Sequence, residues 1–224
     1  KARAYFPIGI PVESAWLERL QSVNPMMRIA PMYRGIERRP VPGTYEEALK
    51  PGMAEAETDR GHPDPHIWLA PPLARVMAQN ARDELIRLDP EHASRYRANF
   101  TELAETINEL DRELLDLFSG AENRSFLAYH PAWAYFARAY GLHQIPVLLG
   151  ADKLTAKGID RLIGIAEERG LRTVFYQPQF SSRPAEEIAR NLDGEARELD
   201  PLARDWEANL RECAREIRRA LERQ

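Results

Sequence analysis

The chain has 224 residues, of which 44% are hydrophobic and 29% are charged, a composition typical of a globular protein with one large or two small domains. Its formal net charge of -4 gives no electrostatic basis for binding nucleic acid or an anionic membrane. No apolar run approaches the ~20 residues of a membrane-spanning helix. The single cysteine, Cys213, excludes both an internal disulfide and a thiolate metal cluster.

The first part of the chain is predicted to form a β/α segment. Three prolines and two glycines within residues 40–52 predict a loop, and the polar residues 55–65 show no periodicity. The predicted elements are, in order, strand 3–8, helix 13–22, strand 28–32, the two loops, and a helix that opens at Pro71 and Pro72 and carries apolar residues as far as Leu88.

The longest predicted element is a helix over residues 89–120. Asp89-Pro90-Glu91 supplies a capping carboxylate, a proline at the first helical position and an acid in the first turn, and Gly120 supplies the stop. At a rise of about 1.5 Å per residue this helix would be about 40 Å long. Its apolar residues recur at alternating spacings of four and three, which predicts one buried stripe. The stripe consists of Tyr96, Phe100, Leu103, Ile107, Leu110, Leu114 and Leu117.

After Gly120, short apolar strands alternate with helices, an order typical of βαβ units and a parallel sheet. The predicted strands cover residues 125–129, 145–149, 172–176 and 195–199. Because β/α segments lie on both sides of the long helix, a helical bundle is excluded. The predicted fold class is α/β, with two β/α lobes joined by one long helix. The predicted domains are residues 1–88, 89–120 and 121–224.

Three residues form a candidate metal site. His130 and Asp200 each follow a predicted strand directly, so both should face the rim where the carboxyl ends of the strands meet. His66 lies in a loop just before a helix. Two imidazoles and a carboxylate suit a divalent metal such as zinc. Spacing alone leaves other roles open: His66 as a loop residue packed beside Trp68, His130 as a cap at a strand-to-helix turn, and Asp200 as an N-cap ahead of Pro201.

Several segments resemble one family. Residues 64–71, DPHIWLAP, resemble the DPHxWL segment of the metal-specific solute-binding proteins of ABC transporters, the cluster A-I family, which serves zinc, manganese and iron uptake. Residues 129–136, YHPAWAYF, resemble that family's second histidine segment. Further resemblances, in the family's order along the chain, are residues 5–13 to the strand and turn of its N-terminal lobe, 175–181 to F-x-E-P-Q-F-S and 199–202 to L-D-P-L.

The resemblance implies two β/α lobes joined by one long rigid helix, with a metal held in the cleft between them. Carried over by position, His66, His130 and Asp200 are the metal ligands. Zinc is the first expectation for the metal, with manganese or iron as alternatives. Asp64 is either a carboxylate that supports His66 or a turn former before Pro65. The expected partner is a membrane permease, and the expected state is a monomer at a periplasmic or extracellular, membrane-associated location, without a signal segment in this chain.

The chain also departs from the family pattern in three ways. Gln177 stands where the family usually has glutamate, which leaves the role of that position open but not the ligand set. Many zinc members carry a long histidine-rich loop before DPHxWL, whereas residues 55–65 contain only His62. The family's first histidine ligand lies upstream of strand 3–8 and has no counterpart here. We therefore expect an incomplete N-terminal lobe and a fourth ligand, a histidine, from an upstream segment.

Two rival classes remain to be weighed. A metal-dependent hydrolase would use the same His/His/Asp site with an open coordination position, and would need a general base such as Glu13, although no motif places one. A flavodoxin-like redox module is disfavoured because no glycine-rich phosphate loop follows a predicted strand. Of the remaining histidines, His92 is expected to have a neutral or capping role in the first turn of the long helix, and His143 to lie in a solvated loop. We therefore expect a binding protein and not an enzyme.

Overall fold

The computed structural model describes residues 2–40, 63–148 and 155–223. The chain divides into two compact units, with the described residues as far as Asp111 in unit 1 and those from Arg112 onward in unit 2. Most of the predicted loops 40–52 and 55–65, and His62 with them, lie outside the described residues. The division into three segments at residues 88 and 120 is not tested by these units and stays a prediction.

Unit 1 begins with a short parallel β-pair. Strand β1 (Ala4–Tyr5) pairs with β2 (Arg28–Ile29), and helix α1 (Pro11–Val23) connects them. Both strands are shorter than the predicted 3–8 and 28–32. Prolines at positions 7 and 31 explain this, because proline has no amide proton to donate to a ladder. The amide of Met32 still donates to the carbonyl of Pro7 at 2.8 Å, so the two segments run together beyond the regular strands.

A single-turn 3-10 helix (Ile67–Leu69) leads into α2 (Pro71–Leu88). After a second 3-10 turn (Pro90–His92), helix α3 runs without interruption over Ala93–Ser119. Its 27 residues correspond to about 40 Å. The prediction of one long helix is therefore confirmed, except that the Asp89-Pro90-Glu91 start forms a 3-10 turn.

The buried stripe of α3 differs in part from the predicted one. Ile107, Leu110 and Leu114 are 3% exposed or less, as expected from the spacing. Leu103 is 47% exposed, so its predicted burial is wrong, whereas Ala104 and Phe118 are buried. Neighbouring residues on a helix point about 100° apart, so once Ala104 faces inward Leu103 lies on the flank of the stripe.

Unit 2 contains a four-stranded parallel sheet with the order β4-β3-β5-β6. Helices separate the strands along the chain, as predicted. The elements are β3 (Ser125–Ala128), α4 (Ala134–Ala139), β4 (His143–Pro146), α5 (Ala156–Glu168), β5 (Thr173–Tyr176), α6 (Arg183–Asn191), β6 (Glu195–Glu198) and α7 (Trp206–Glu222).

Strand β4 starts earlier than the predicted 145–149. His143 is its first residue, is half-buried, and places its ring atom Nε2 in the interior. The expectation that His143 lies in a solvated loop is therefore wrong. The backbone amide of His143 donates to the carbonyl of Arg124 at 2.6 Å, which extends the pairing with the segment before β3.

The core of unit 2 is apolar and lies between the sheet and its helices. The strands contribute Leu127, Ile145 and Val174, all 0% exposed, and the helices cover them with residues such as Leu162 and Ile188. Burial of large aliphatic side chains stabilises such a core by about 1.5–3 kcal/mol each before entropy is counted. An apolar core therefore stabilises the sheet whose strands lead into His130 and Asp200.

The outer strand β6 is instead charged. Arg197 forms ion pairs with Glu195 at 2.9 Å and with Glu216 of α7 at 2.9 Å, and Arg223 also pairs with Glu195.

Gly194, just before the strand, is required by close packing, because a Cβ atom there would lie 1.7 Å from the carbonyl oxygen of Arg172.

Candidate metal site

His130 and Asp200 lie at the same edge of the unit 2 sheet. His130 follows the carboxyl end of β3, and Asp200 follows the carboxyl end of β6. The strands are parallel, and β5 runs between these two in the sheet order. The loop that leaves β5 therefore starts between the two candidate ligands.

The carboxylate of Asp200 is held by one of its oxygens. Oδ1 accepts hydrogen bonds from Nε2 of Gln179 at 2.7 Å and from the amide of Leu202 at 2.9 Å. The alternative role of Asp200 as an N-cap is wrong, since Asp205 caps α7 with its side chain. The backbone carbonyl of Asp200 accepts from Nδ2 of Asn209 at 2.7 Å, which ties the turn to α7.

The ring of His130 is half-buried and lies beside an aromatic side chain. Its centroid is 6.2 Å from that of Phe180, with the rings tilted by 45°. Helix α4 takes Trp133, not His130, as its N-cap residue, and the Trp133 amide donates to Oε1 of Gln144 at 2.7 Å. His130 is therefore not the N-cap residue of α4, and its role as a cap within the turn before that helix stays one of the alternatives.

A small hollow opens beside His130 at the ends of β3, β5 and β6. Its volume is about 10 Å³, which is at most the space of one water molecule. The lining residues come from strand ends and the loops after them: Ala128, His130, Trp133, Phe175, Tyr176, Gln177 and Leu199. The hollow itself therefore has room for an ion or one water molecule.

The loop after β5 touches both candidate ligands. Gln177 lines the hollow with His130, Gln179 donates to Asp200, and Phe180 lies against the His130 ring. The sequence interpretation considered only Gln177, as a departure from a pattern, and missed Gln179 and Phe180. The available signal was only that both residues closely follow a predicted strand, at the end of the sheet where the candidate ligands were expected.

His66 lies in unit 1 and is held by a buried carboxylate. Oδ1 of Asp64 is 2.6 Å from Nδ1 of His66 and accepts from the His66 amide at 2.9 Å. Asp64 is only 2% exposed. The His66 ring also packs against Trp68, with centroids 5.3 Å apart. Asp64 is therefore both a turn former and a partner of the imidazole, and the packing of His66 beside Trp68 accompanies these bonds.

The Asp64 contact has a chemical consequence for His66. Since a carboxylate accepts hydrogen bonds, its contact with Nδ1 favours the tautomer that carries its proton there. The lone pair then lies on Nε2, the nitrogen at the far side of the ring. A carboxylate bonded to one imidazole nitrogen while the other binds a metal is a recurring arrangement in metalloproteins.

Glu13, considered as a general base, is engaged in a turn. Its Oε1 accepts from the hydroxyl of Tyr5 at 3.1 Å and the amide of Ile8 at 3.2 Å. Its Oε2 accepts from the amides of Gly9 at 2.6 Å and Ile10 at 3.1 Å. Burial, followed by this contact with Glu13, raises the pKa of Tyr5. Glu13 therefore fixes the turn into α1, where Gly9 adopts a φ of 87°.

Other titratable residues have structural surroundings. Nδ1 of His92 lies 2.9 Å from both carboxylate oxygens of Asp89, in the turn before α3, so the ring is engaged in a local side-chain contact. Burial raises the pKa of the Cys213 thiol to about 12, so it stays protonated at neutral pH and is a poor metal ligand.

Across residues 2–40, 63–148 and 155–223, no three His, Cys, Asp or Glu side chains form a group that could hold a metal ion. His130 and Asp200 share one edge of the unit 2 sheet, whereas His66 belongs to unit 1. Ligation of one ion by all three residues therefore stays a prediction.

Comparison with known proteins places the chain in a family. The family model described as ZnuA, the periplasmic component A of a zinc-uptake complex, matches residues 1–220. The chain belongs to this family. The family assignment agrees with the resemblance seen in the DPHIWL and YHPAW segments, and its members are periplasmic components of metal uptake.

Relatives of the chain match over different lengths. The zinc-binding protein AdcA of Streptococcus pyogenes serotype M3 is 31% identical over 163 residues, which is 70% of this chain and 32% of AdcA. A crystal structure of ZnuA matches with a TM-score of 0.86 and 34% identity, over 98% of this chain and 80% of that one. A zinc-bound ZnuA deletion mutant matches with a TM-score of 0.85 and 35% identity, over 98% and 78%. The chain thus spans about a third of the length of the curated relative AdcA. The structural matches to ZnuA confirm the predicted fold class.

Proposed function

We propose that this chain is part of the substrate-binding component of an ABC transporter, that it captures zinc, and that it delivers the ion to a membrane permease. Zinc is here the cargo. The family assignment over residues 1–220 supports the transport role, and the zinc named for AdcA and for the ZnuA deletion mutant supports the cargo.

The observation that carries the proposal is the pair of His66 and Asp64. A buried carboxylate at Nδ1 orients an imidazole whose other nitrogen can bind a metal, and the pair lies in the DPHIWL segment. Zinc is bound in proteins by imidazole nitrogen and carboxylate oxygen at about 2.0–2.2 Å. The proposed ligands His66, His130 and Asp200 supply these donor types, whereas sites for harder cations such as manganese use more oxygen.

No observation favours the hydrolase alternative. A metal-activated water needs a general base or acid close to it. Glu13 was the carboxylate considered for this task, and its two oxygens accept four hydrogen bonds in the turn before α1.

The remaining parts of the proposal concern partner and place. We propose a permease as the partner, a monomeric state, and a periplasmic or extracellular, membrane-associated location. The periplasmic description of the family supports that location. Among the described residues, each helix is too short or too polar to cross a bilayer.

A thermal-unfolding experiment with metal-free protein tests the proposal. Zinc at about 1,000 times its dissociation constant should add roughly 4 kcal/mol to the free energy of unfolding, because it binds the folded state. His66→Ala and His130→Ala should each remove most of this gain. His92→Ala is the matched control, since His92 lies in the exposed turn before α3 with Asp89.

Two results would contradict the proposal. The first is an equal loss of the zinc-induced stabilisation in His92→Ala and His130→Ala. The second is saturable hydrolysis of esters, phosphoesters or amides by the zinc-loaded protein that His66→Ala abolishes, which would favour the metalloenzyme.

A further inference from the structure

We infer that Gln179 is the positioning residue of the zinc ligand Asp200, holding its carboxylate so that one oxygen is left for the metal. The inference rests on the proposed function, because it takes Asp200 as a ligand. It adds a residue outside the proposed His66, His130 and Asp200 set.

The hydrogen bonds of Asp200 are divided unequally between its two oxygens. Oδ1 accepts from the Gln179 side chain at 2.7 Å and from the Leu202 amide at 2.9 Å. Within the described ranges, no hydrogen bond reaches Oδ2 from the protein. A carboxylate held in this way presents a single oxygen in a fixed direction, which favours monodentate binding of a cation at Oδ2.

The backbone segment that carries Gln179 forms a turn. The amide of Phe180 donates to the carbonyl of Gln177 at 3.2 Å, which closes a turn over residues 177–180. Pro178 occupies the second position of this turn, where its fixed φ fits the common turn types. The exposed side chain of Gln179 therefore projects from a backbone that a turn hydrogen bond and the fixed φ of Pro178 both restrict.

The chemistry of the amide suits this task. Glutamine donates a hydrogen bond without carrying charge, so the full negative charge of Asp200 stays available to a cation. A lysine here would neutralise that charge, and a glutamate would repel the carboxylate and supply no donor at neutral pH. The same turn places Phe180 beside the His130 ring, so one short loop contacts both proposed unit 2 ligands.

The test compares zinc affinities of metal-free variants in a competition titration against a chromophoric chelator. Gln179→Met keeps the side-chain length and removes the donor, and we expect zinc affinity to fall about tenfold, at the lower end of the 10–100-fold typical for such supporting residues. Gln179→Glu should lower it further. The matched control is Gln21→Met, an exposed glutamine on α1, which should bind zinc as the unmodified chain does.

A double-mutant cycle separates positioning from a general structural effect. In an Asp200→Ala background, Gln179→Met should leave zinc affinity unchanged, because the carboxylate that it positions is gone. The melting temperature of metal-free Gln179→Met should equal that of the unmodified chain. In cobalt-substituted protein, the visible absorption bands should change in Gln179→Met and not in Gln21→Met.

Two outcomes would overturn the inference, and they are distinguishable. If Asp200→Ala weakens zinc binding while Gln179→Met does not, the site stands and the positioning role fails. If Asp200→Ala, His130→Ala and His66→Ala all bind zinc as the unmodified chain does, the proposed ligand set fails, and the role of Gln179 fails with it.

Discussion

Unit 1 and unit 2 bury different kinds of side chain in their interiors. The carboxylates buried within the described ranges are Glu13, Asp64 and Glu84, each 5% exposed or less, and all belong to unit 1. In unit 2 the interior behind His130 is made of aliphatic and aromatic residues such as Leu127 and Phe175. The interior of unit 1 therefore holds carboxylates by directed, charge-assisted hydrogen bonds, and the interior of unit 2 behind His130 is held by close apolar packing. Hydrogen bonds hold the unit 2 ligand candidate Asp200 only outside that interior, in the turn after β6.

The difference predicts two kinds of sensitivity. Hydrogen bonds to a buried charge are directional and depend on pH, and losing one partner leaves the other without compensation. Apolar packing depends little on pH but strongly on volume, since a removed methyl group leaves a cavity. Substitutions in the two units should therefore differ in both size and pH profile.

The largest expected effect is that of Leu127→Ala in β3. Leu127 is 0% exposed at the centre of the sheet, so its truncation should lower the free energy of unfolding by about 3 kcal/mol. Urea unfolding of the metal-free protein measures this. Leu103→Ala removes an equal volume from a side chain that is 47% exposed, and should cost less than about 1 kcal/mol. Equal losses in the two variants would contradict an apolar core centred on β3.

The next effect is that of Asp64→Asn on zinc binding. The amide has the shape of the carboxylate and still offers an acceptor oxygen but lacks its charge, so the charge-assisted hydrogen bond from Nδ1 of His66 is weakened and the imidazole becomes a poorer electron donor to zinc. Zinc affinity should fall about 10–100-fold, which corresponds to roughly 1.4–2.7 kcal/mol. Competition titration measures it, with Asp116→Asn as the control at an exposed position. An unchanged affinity would mean that Asp64 serves the turn alone.

The smallest effect is that of Glu84→Gln on stability. The Glu84 carboxylate is bonded to the Arg28 guanidinium and lies 3.0 Å from Nη1 of Arg87. The hydrogen bond from Arg28 is the main cause that lowers the pKa of Glu84 from 4.5. Because Arg28 is 45% exposed at its side chain, solvent screens the pair, and we expect Glu84→Gln to cost about 1–2 kcal/mol near pH 7.

The pH profile of Glu84→Gln follows from the direction of that shift. A lowered pKa in the folded state means that the ionised carboxylate contributes stability above its ordinary pKa of 4.5, and that this contribution is lost as pH falls through the folded-state value. The difference between the unmodified chain and Glu84→Gln should shrink in unfolding curves recorded below pH 4.5. Glu102→Gln, at an exposed position of α3, should show no such convergence.

The order of the elements could be predicted from the sequence because it depends on local patterns. Helix α3 follows from apolar spacing, and the unit 2 strands follow from short apolar runs between helices. Burial within those elements was harder to predict. Glu84 is buried on α2, whereas Leu73, Leu85 and Leu88 of the predicted apolar face are only half-buried. A charged residue enters the interior only when partners distant in sequence, here Arg28, are placed beside it.

The candidate site shows the same limit. His130 and Asp200 could be placed at one edge of the sheet, since parallel strands share their carboxyl ends. The contacts of Gln179 and Phe180 depend on how a four-residue turn directs its side chains, which no periodicity encodes. The sequence left two roles open for Asp64, a turn former before Pro65 or a carboxylate that supports His66. Its hydrogen bonds serve both roles.

The charged outer strand β6 of the unit 2 sheet affects whether copies of this chain pair through their sheets. Strand β6 lies at the end of the sheet order and carries Glu195, Arg197 and Glu198. An unpaired strand edge can recruit the edge of a neighbouring molecule and seed aggregates, and charged side chains along it make such pairing unfavourable. Ion pairs from Arg197 and Arg223 hold the Glu195 carboxylate in place on this strand. The charges on β6 therefore disfavour assembly of copies through this strand.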